Sequence, residues 1–123
     1  MGLSLGPSTM VIVCGCDNGC LLIPLVICLI CIGVGFEVIT LRATAAALFA
    51  GHAKTKFPWS CIHIKHCKFM EPHLSFVWRA ACVVILNDLV IDSNMVDMLL
   101  VCLTNSPPCL EVVAKTTHVS HQF

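Results

Sequence analysis

The feature that most constrains this chain is the uncharged run Asn18–Phe36, NGCLLIPLVICLICIGVGF. Eleven of its nineteen residues are Leu, Ile, Val or Phe. As a helix rising ~1.5 Å per residue it would be ~28 Å long, close to the hydrocarbon thickness of a bilayer. At the centre of a membrane such residues each contribute roughly −0.3 to −0.6 kcal/mol to insertion, about −5 together before Pro24, Gly33 and Gly35 are set against them. The run therefore reads as a transmembrane helix. No Lys or Arg precedes it and no small-residue cleavage site follows, so it reads as an uncleaved anchor.

Composition agrees with that reading. A chain of 123 residues allows one domain at most, and this one is 58% hydrophobic and 11% charged. Ordinary water-facing domains carry about 25% charged residues, and small ones need more polar surface than large ones. The expected fold is mainly α: a single transmembrane helix, a short amphipathic helix and a poorly defined apolar C-terminal region. By segment, residues 1–17 are an uncharged N-terminal stretch and 18–42 hold the span. Residues 43–72 are a basic juxtamembrane region, 73–103 an apolar region and 104–123 a polar tail.

Local signals compete with this assignment at several points. Met10–Cys14 and Leu21–Ile27 can be read as two strands around an Asp17-Asn18-Gly19 turn, but an isolated apolar hairpin has nothing to pack against. After Phe36 the Ala-rich ATAAALFA continues a helix toward a stop at Gly51. Phe57–Glu71 places Trp59, Ile62, His63, His66, Phe69 and Met70 on one helical face, with Lys65 and Lys68 opposite. In residues 80–103 a second span would hold Asp88, Asp92 and Asp97, each costing about 2.5–3.5 kcal/mol near the centre. None is expected there. Short strands at Cys82–Leu86 and Leu89–Ile91 are the alternative.

Charge placement sets orientation and partners. Upstream of the run there is no Lys or Arg, whereas Arg42, Lys54, Lys56, Lys65 and Lys68 follow it. The positive-inside rule then puts the N-terminus outside and the C-terminus in the cytosol. The expected partners are the bilayer itself, anionic headgroups at Lys65 and Lys68, or a partner transmembrane helix. Nucleic acid is not expected, because seven Lys and Arg are balanced by seven Asp and Glu.

No reactive constellation emerges. Cys61, His63, His66 and Cys67 are the one metal-like cluster, but on a helix Cys61 points away from the other three, and a fourth ligand would have to come from His52 or His73. Cys28 and Cys31 have C-x-x-C spacing in aliphatic surroundings, where redox motifs need electropositive ones. Cys14, Cys16 and Cys20 are acylation candidates only if they face the cytosol, which the orientation disfavours. Gly33-Val-Gly35 opens like a dinucleotide fingerprint, yet Val38 stands at the third glycine and no acid lies near His52–Lys56. Asp88 with Asp92, and His118 with His121, read as solvated side chains. No catalytic, cofactor-binding or metal-binding residue and no cofactor is expected. The leading expectation is a small single-pass membrane protein without catalytic activity. Two alternatives stand beside it: the product of a reading frame never selected for a folded function, and a Cys/His metal-binding module.

Overall fold

The apolar run does not form one helix. In the computed structural model, which describes residues 8–66, 80–87, 91–104, 110 and 112–116, it divides into a helix and a strand. The helix, α1, is Leu22–Leu29, only eight residues long. At ~1.5 Å per residue it reaches ~12 Å, less than half the thickness of a bilayer core. It ends at Ile30, which takes φ 51° and returns its N–H to the Val26 carbonyl at 3.0 Å. A left-handed residue with a β-branched side chain is costly, roughly 1–2 kcal/mol. It is held there because the chain must reverse at once into strand β2, Ile32–Glu37.

That strand joins a five-stranded sheet in which every neighbouring pair is parallel, in the order β3-β2-β1-β4-β5. The other strands are β1, Met10–Cys14; β3, Cys61–His66; β4, Val83–Leu86; and β5, Val112–Lys115. Helix α2, Thr40–Lys56, links β2 to β3, and helix α3, Ser93–Thr104, lies between β4 and β5. Parallel strands are covered on both faces, so the inner ones are apolar at every position rather than at alternate ones. Strand β1 shows this: Val11 to Cys14 are each at most 2% exposed.

Alternation then assigns each side chain to a layer. Val11 and Val13 pack with Leu22 and Val26 of α1 and Ala46 of α2. Ile12 and Cys14 pack on the opposite face with Val34, Phe36, Val84 and Leu86, covered by Val96 and Leu99 of α3. Strand β2 presents Gly33 and Gly35 to α1, and the helix comes so close that neither position has room for a side chain. A Cβ on Gly35 would sit 2.8 Å from both the Cβ and Sγ of Cys16 and from Leu22 Cδ2.

Several expectations are corrected by this architecture. The fold is mixed α/β with a parallel sheet, not mainly α with a single span. No helix among the described residues is long and apolar enough to cross a membrane, so the membrane assignment, and the N-outside, C-cytosolic orientation built on it, are withdrawn. The reason is that an uninterrupted apolar run carries no period, and a helix followed by a doubly buried strand has the same composition as a span. The expected amphipathic helix Phe57–Glu71 is strand β3 over residues 61–66, and residues 67–71 lie outside the described ones. The helix expected to stop at Gly51 continues to Lys56. Met10–Cys14 is a strand, but Leu21–Ile27 is not its hairpin partner; β1 pairs in parallel with β2 and β4. Strand β4 falls within the alternative Cys82–Leu86.

Candidate functional site

The connections run from β1 outward to β2 and β3, then return past β1 to β4 and β5. The order therefore reverses between β1 and β4. In open parallel sheets the loops leaving the strand ends on either side of such a reversal diverge and leave a crevice, where ligands bind. The elements meeting there are the turn after β1, the end of β2 and the end of β4.

The turn is Gly15-Cys16-Asp17-Asn18-Gly19, leading into α1. Gly15 has φ 75° and Gly19 φ 87°, and Asp17 is left-handed at φ 54°. The folded turn lies against β2: the N–H groups of Gly15 and Cys16 both donate to the Phe36 carbonyl, at 2.9 and 3.0 Å. The Asp17 N–H donates to Glu37 Oε1 at 2.8 Å, and the Ile39 N–H donates to Oε2 at 3.1 Å. Glu37, the last residue of β2, is only 2% exposed. Gly19 N–H closes the turn on the Cys16 carbonyl at 2.8 Å, and the Cys20 N–H is taken by Asn18 Oδ1 at 3.1 Å.

From β4, Asn87 ties the other side of the reversal to the same turn. Its N–H donates to the Cys14 carbonyl and its Nδ2 to the Gly15 carbonyl, both at 3.0 Å. Its Oδ1 accepts from Thr116 Oγ1 at 3.2 Å. Arg42 on α2 reaches Asp17, Nε to Oδ1 3.5 Å, in a partly exposed ion pair.

The chemistry of this crevice is legible from its groups. The backbone N–H groups of Gly15, Cys16, Asp17, Gly19 and Cys20 are each taken by one of the protein's own acceptors. Two carboxylates, Asp17 and Glu37, lie at the turn and one guanidinium, Arg42, reaches Asp17, a balance that suits a cationic ligand better than an anionic one. A carboxylate offers about four acceptor positions, and Glu37 uses two of them on backbone N–H groups. Cys16 is not a nucleophile: burial above all, then the charge of Glu37, pushes its thiol up to about 12. Cys14 is raised further, by burial and then by the neighbouring Cys16.

The sequence candidates lie elsewhere. Cys61 and His63 are on one side of β3, with Sγ and Nε2 3.4 Å apart. His66 is turned away and meets the Val38 carbonyl at 3.1 Å and Thr40 Oγ1 at 3.3 Å. Cys67 and His73 fall outside the described residues, and His52 is exposed on α2. Among the described residues no three His, Cys, Asp or Glu are placed to share a metal ion. Cys28 is exposed, and Cys31 is buried with its thiol raised by burial. Asp92 caps α3 by accepting the Met95 N–H at 2.8 Å; Asp88, His118 and His121 are outside the described residues. Glu37 and Asn87 were missed. The available signal was an acid about twenty residues after a Gly-bracketed turn that itself follows a strand. That frame starts at Gly15, whereas Gly33 and Gly35 lie inside β2.

No protein-family model and no curated protein sequence matches the chain. Solved structures do. The RNA methyltransferase from Salinibacter ruber in complex with S-adenosyl-L-homocysteine superposes with a TM-score of 0.66 at 17% identity. The chain has its fold. That match covers 87% of this chain and 63% of the other. TrmK of M. capricolum, in complex with its natural cofactor product S-adenosyl-homocysteine, gives a TM-score of 0.56 at 18% identity, covering 94% and 49%. The chain thus spans less than two thirds of the length of either.

These likenesses overturn the functional expectation as well. A membrane protein without catalytic activity was expected, but the fold is the one a methyltransferase uses. Of the metal-module cluster, Cys61 and His63 lie on one side of β3 and His66 on the other, while Cys67 lies outside the described residues.

Proposed function

We propose that the chain binds S-adenosyl-L-methionine at the C-terminal ends of β1, β2 and β4 and serves as the cofactor-binding unit of a methyltransferase. The observation that carries this reading is the meeting of the Gly15–Gly19 turn with the buried Glu37 carboxylate beside the strand-order reversal. The likeness to two proteins holding S-adenosyl-homocysteine supports it. The site's chemistry supports it independently. This cofactor has no phosphate and carries a positive sulfonium, which suits a crevice with two carboxylates and one guanidinium.

In this reading Glu37 accepts the ribose hydroxyls on the positions its two backbone contacts leave open. The glycines at 15 and 19 keep the turn thin enough for close approach. Asp17 and Glu37 supply the negative field that a sulfonium and an ammonium require. Asn87, fixed by three hydrogen bonds, stands at the end of β4 to orient what enters beside it. When bound, the cofactor supplies an electrophilic methyl group for an incoming nucleophile.

The test is binding by calorimetry and thermal shift, with S-adenosyl-homocysteine as probe and NAD and ATP as controls. At a hundredfold excess over Kd the probe should stabilise the fold by about 2.7 kcal/mol. Glu37→Gln should remove that response while leaving a folded protein, destabilised by about 1–3 kcal/mol because one backbone N–H loses its acceptor. No response to the probe at millimolar concentration, or an equal response to NAD, would sink the proposal.

A further inference from the structure

A second concave site lies at the other end of the sheet, where α2 finishes and β3 begins. It is a groove of about 410 Å³ whose lining includes Gly51, Lys54, Ser60, Cys61 and His63. That volume is within the range of small-molecule pockets. Three features make it more than a surface depression. Cys61 Sγ and His63 Nε2 are 3.4 Å apart, a thiol within hydrogen-bond reach of a base. Lys54 Nζ is anchored by donating to the Ser60 carbonyl at 2.8 Å, which holds the ammonium at the groove with two protons still to give. Ser60 is 2% exposed, and its hydroxyl is buried without a hydrogen-bond partner among the described residues.

The other described thiols differ from this one. Cys14, Cys16 and Cys31 are buried, and burial raises all three. Cys82 donates to the Ala80 carbonyl at 3.8 Å. Cys20 and Cys28 are exposed. Cys61 alone among them pairs with an imidazole, and it does so inside a groove that carries a fixed cation.

We propose that this groove is a thiol-exchange site at which Cys61 takes up a small carboxylate-bearing disulfide, with His63 as base and Lys54 receiving the carboxylate. His63 accepts the thiol proton, and the Cys61 sulfur attacks one sulfur of the incoming disulfide. A new S–S bond forms as the old one breaks. The departing half leaves as a thiolate and takes up the proton held by His63. Cys61 is oxidised to a mixed disulfide, and the departing half is reduced to a thiol. The site is remote from the strand ends that hold the proposed cofactor crevice, so its test does not depend on that reading.

The experiment exposes the full chain to oxidised glutathione at neutral pH, quenches with acid and maps mixed disulfides by mass spectrometry. Cys61 should be modified faster than Cys20 and Cys28 by about 10²-fold, the low end of what a positioned base contributes. His63→Ala should bring Cys61 down to the rate of Cys20, with circular dichroism confirming the fold; His63→Gln serves if the alanine variant does not fold. Lys54→Ala should slow modification by oxidised glutathione but not by uncharged bis(2-hydroxyethyl) disulfide. Equal rates at Cys61, Cys20 and Cys28 in the unsubstituted chain would overturn the proposal, as would a His63 variant, folded, in which Cys61 keeps its rate. Equal slowing of both disulfides by Lys54→Ala would remove Lys54 from it.

Discussion

Substituting Gly33 by Ala separates this fold from a membrane span. In the sheet, a Cβ at position 33 would overlap Val26 Cγ2 and lie 2.9 Å from Leu22 Cδ1. Ordinary contacts between carbon atoms are about 3.5–4.0 Å, so both neighbours must retreat by on the order of 1 Å. Neither has anywhere to go: Leu22 and Val26 are both fully buried, and Val26 in a helix is confined to one χ1 rotamer. Overpacking of this kind costs about 1–3 kcal/mol, and the upper end applies here. Against it stands the entropic gain of replacing a strand glycine, about 0.5–1 kcal/mol. The net loss is roughly 2 kcal/mol, or about 6–10 °C in Tm for a domain of this size. Urea titration and thermal melts would measure it, with Gly51→Ala as control. Position 51 has nothing within 4 Å of a Cβ and lies inside α2, so that substitution should stabilise by about 0.5–1 kcal/mol. Adding Val26→Ala to Gly33→Ala should recover part of the loss, a coupling of about 1 kcal/mol or more. If Gly33→Ala changes stability by less than 0.5 kcal/mol, or Val26→Ala fails to couple to it, the packing of α1 on β2 described above is wrong.

Two further outcomes are expected. Leu22→Asp should unfold the chain, because Leu22 is fully buried between α1 and the sheet, whereas Leu29→Asp should be tolerated at 38% exposure; equal damage from both in a circular dichroism comparison would count against the division of the apolar run. Stability should fall above about pH 9, where the burial of Cys14 and Cys31 acts in the same direction as that of Cys16, whose thiol ionises near 9 when unfolded and near 12 when folded. Its protonated form is favoured by the fold, so the contribution is complete below the unfolded value and lost as pH rises toward the folded one, at on the order of 1 kcal/mol per pH unit. Cys16→Ala should lessen the slope of that limb by its own share, on the order of 1 kcal/mol per pH unit, with Cys14 and Cys31 keeping the remainder; an unchanged slope in pH-dependent denaturation would refute the assignment.

Short-range features were determined by the sequence itself. Met10–Cys14 carries β-branched residues between breakers and is a strand; the Asp17-Asn18-Gly19 turn lies where its residue types place it; the Ala-rich segment after Thr40 is a helix. Each depends on a few neighbouring residues whose conformational preferences agree. The division of Asn18–Phe36 was not determined in that way. Leu22–Leu29 has no charged residue even on its exposed side, and Ile32–Phe36 of β2 lies between two covering layers, so neither leaves a period to read. The candidate site was hidden for a related reason. Gly15, Glu37 and Asn87 are far apart in the chain, and each has an ordinary bland reading when taken alone. Parallel pairing of β1 with β2 and β4, which requires long crossovers through helices, is what brings their strand ends to one edge. The tertiary structure alone decided which glycines form the turn, which acid lies beneath it, and that an apolar stretch of nearly bilayer length would cover a sheet and complete it.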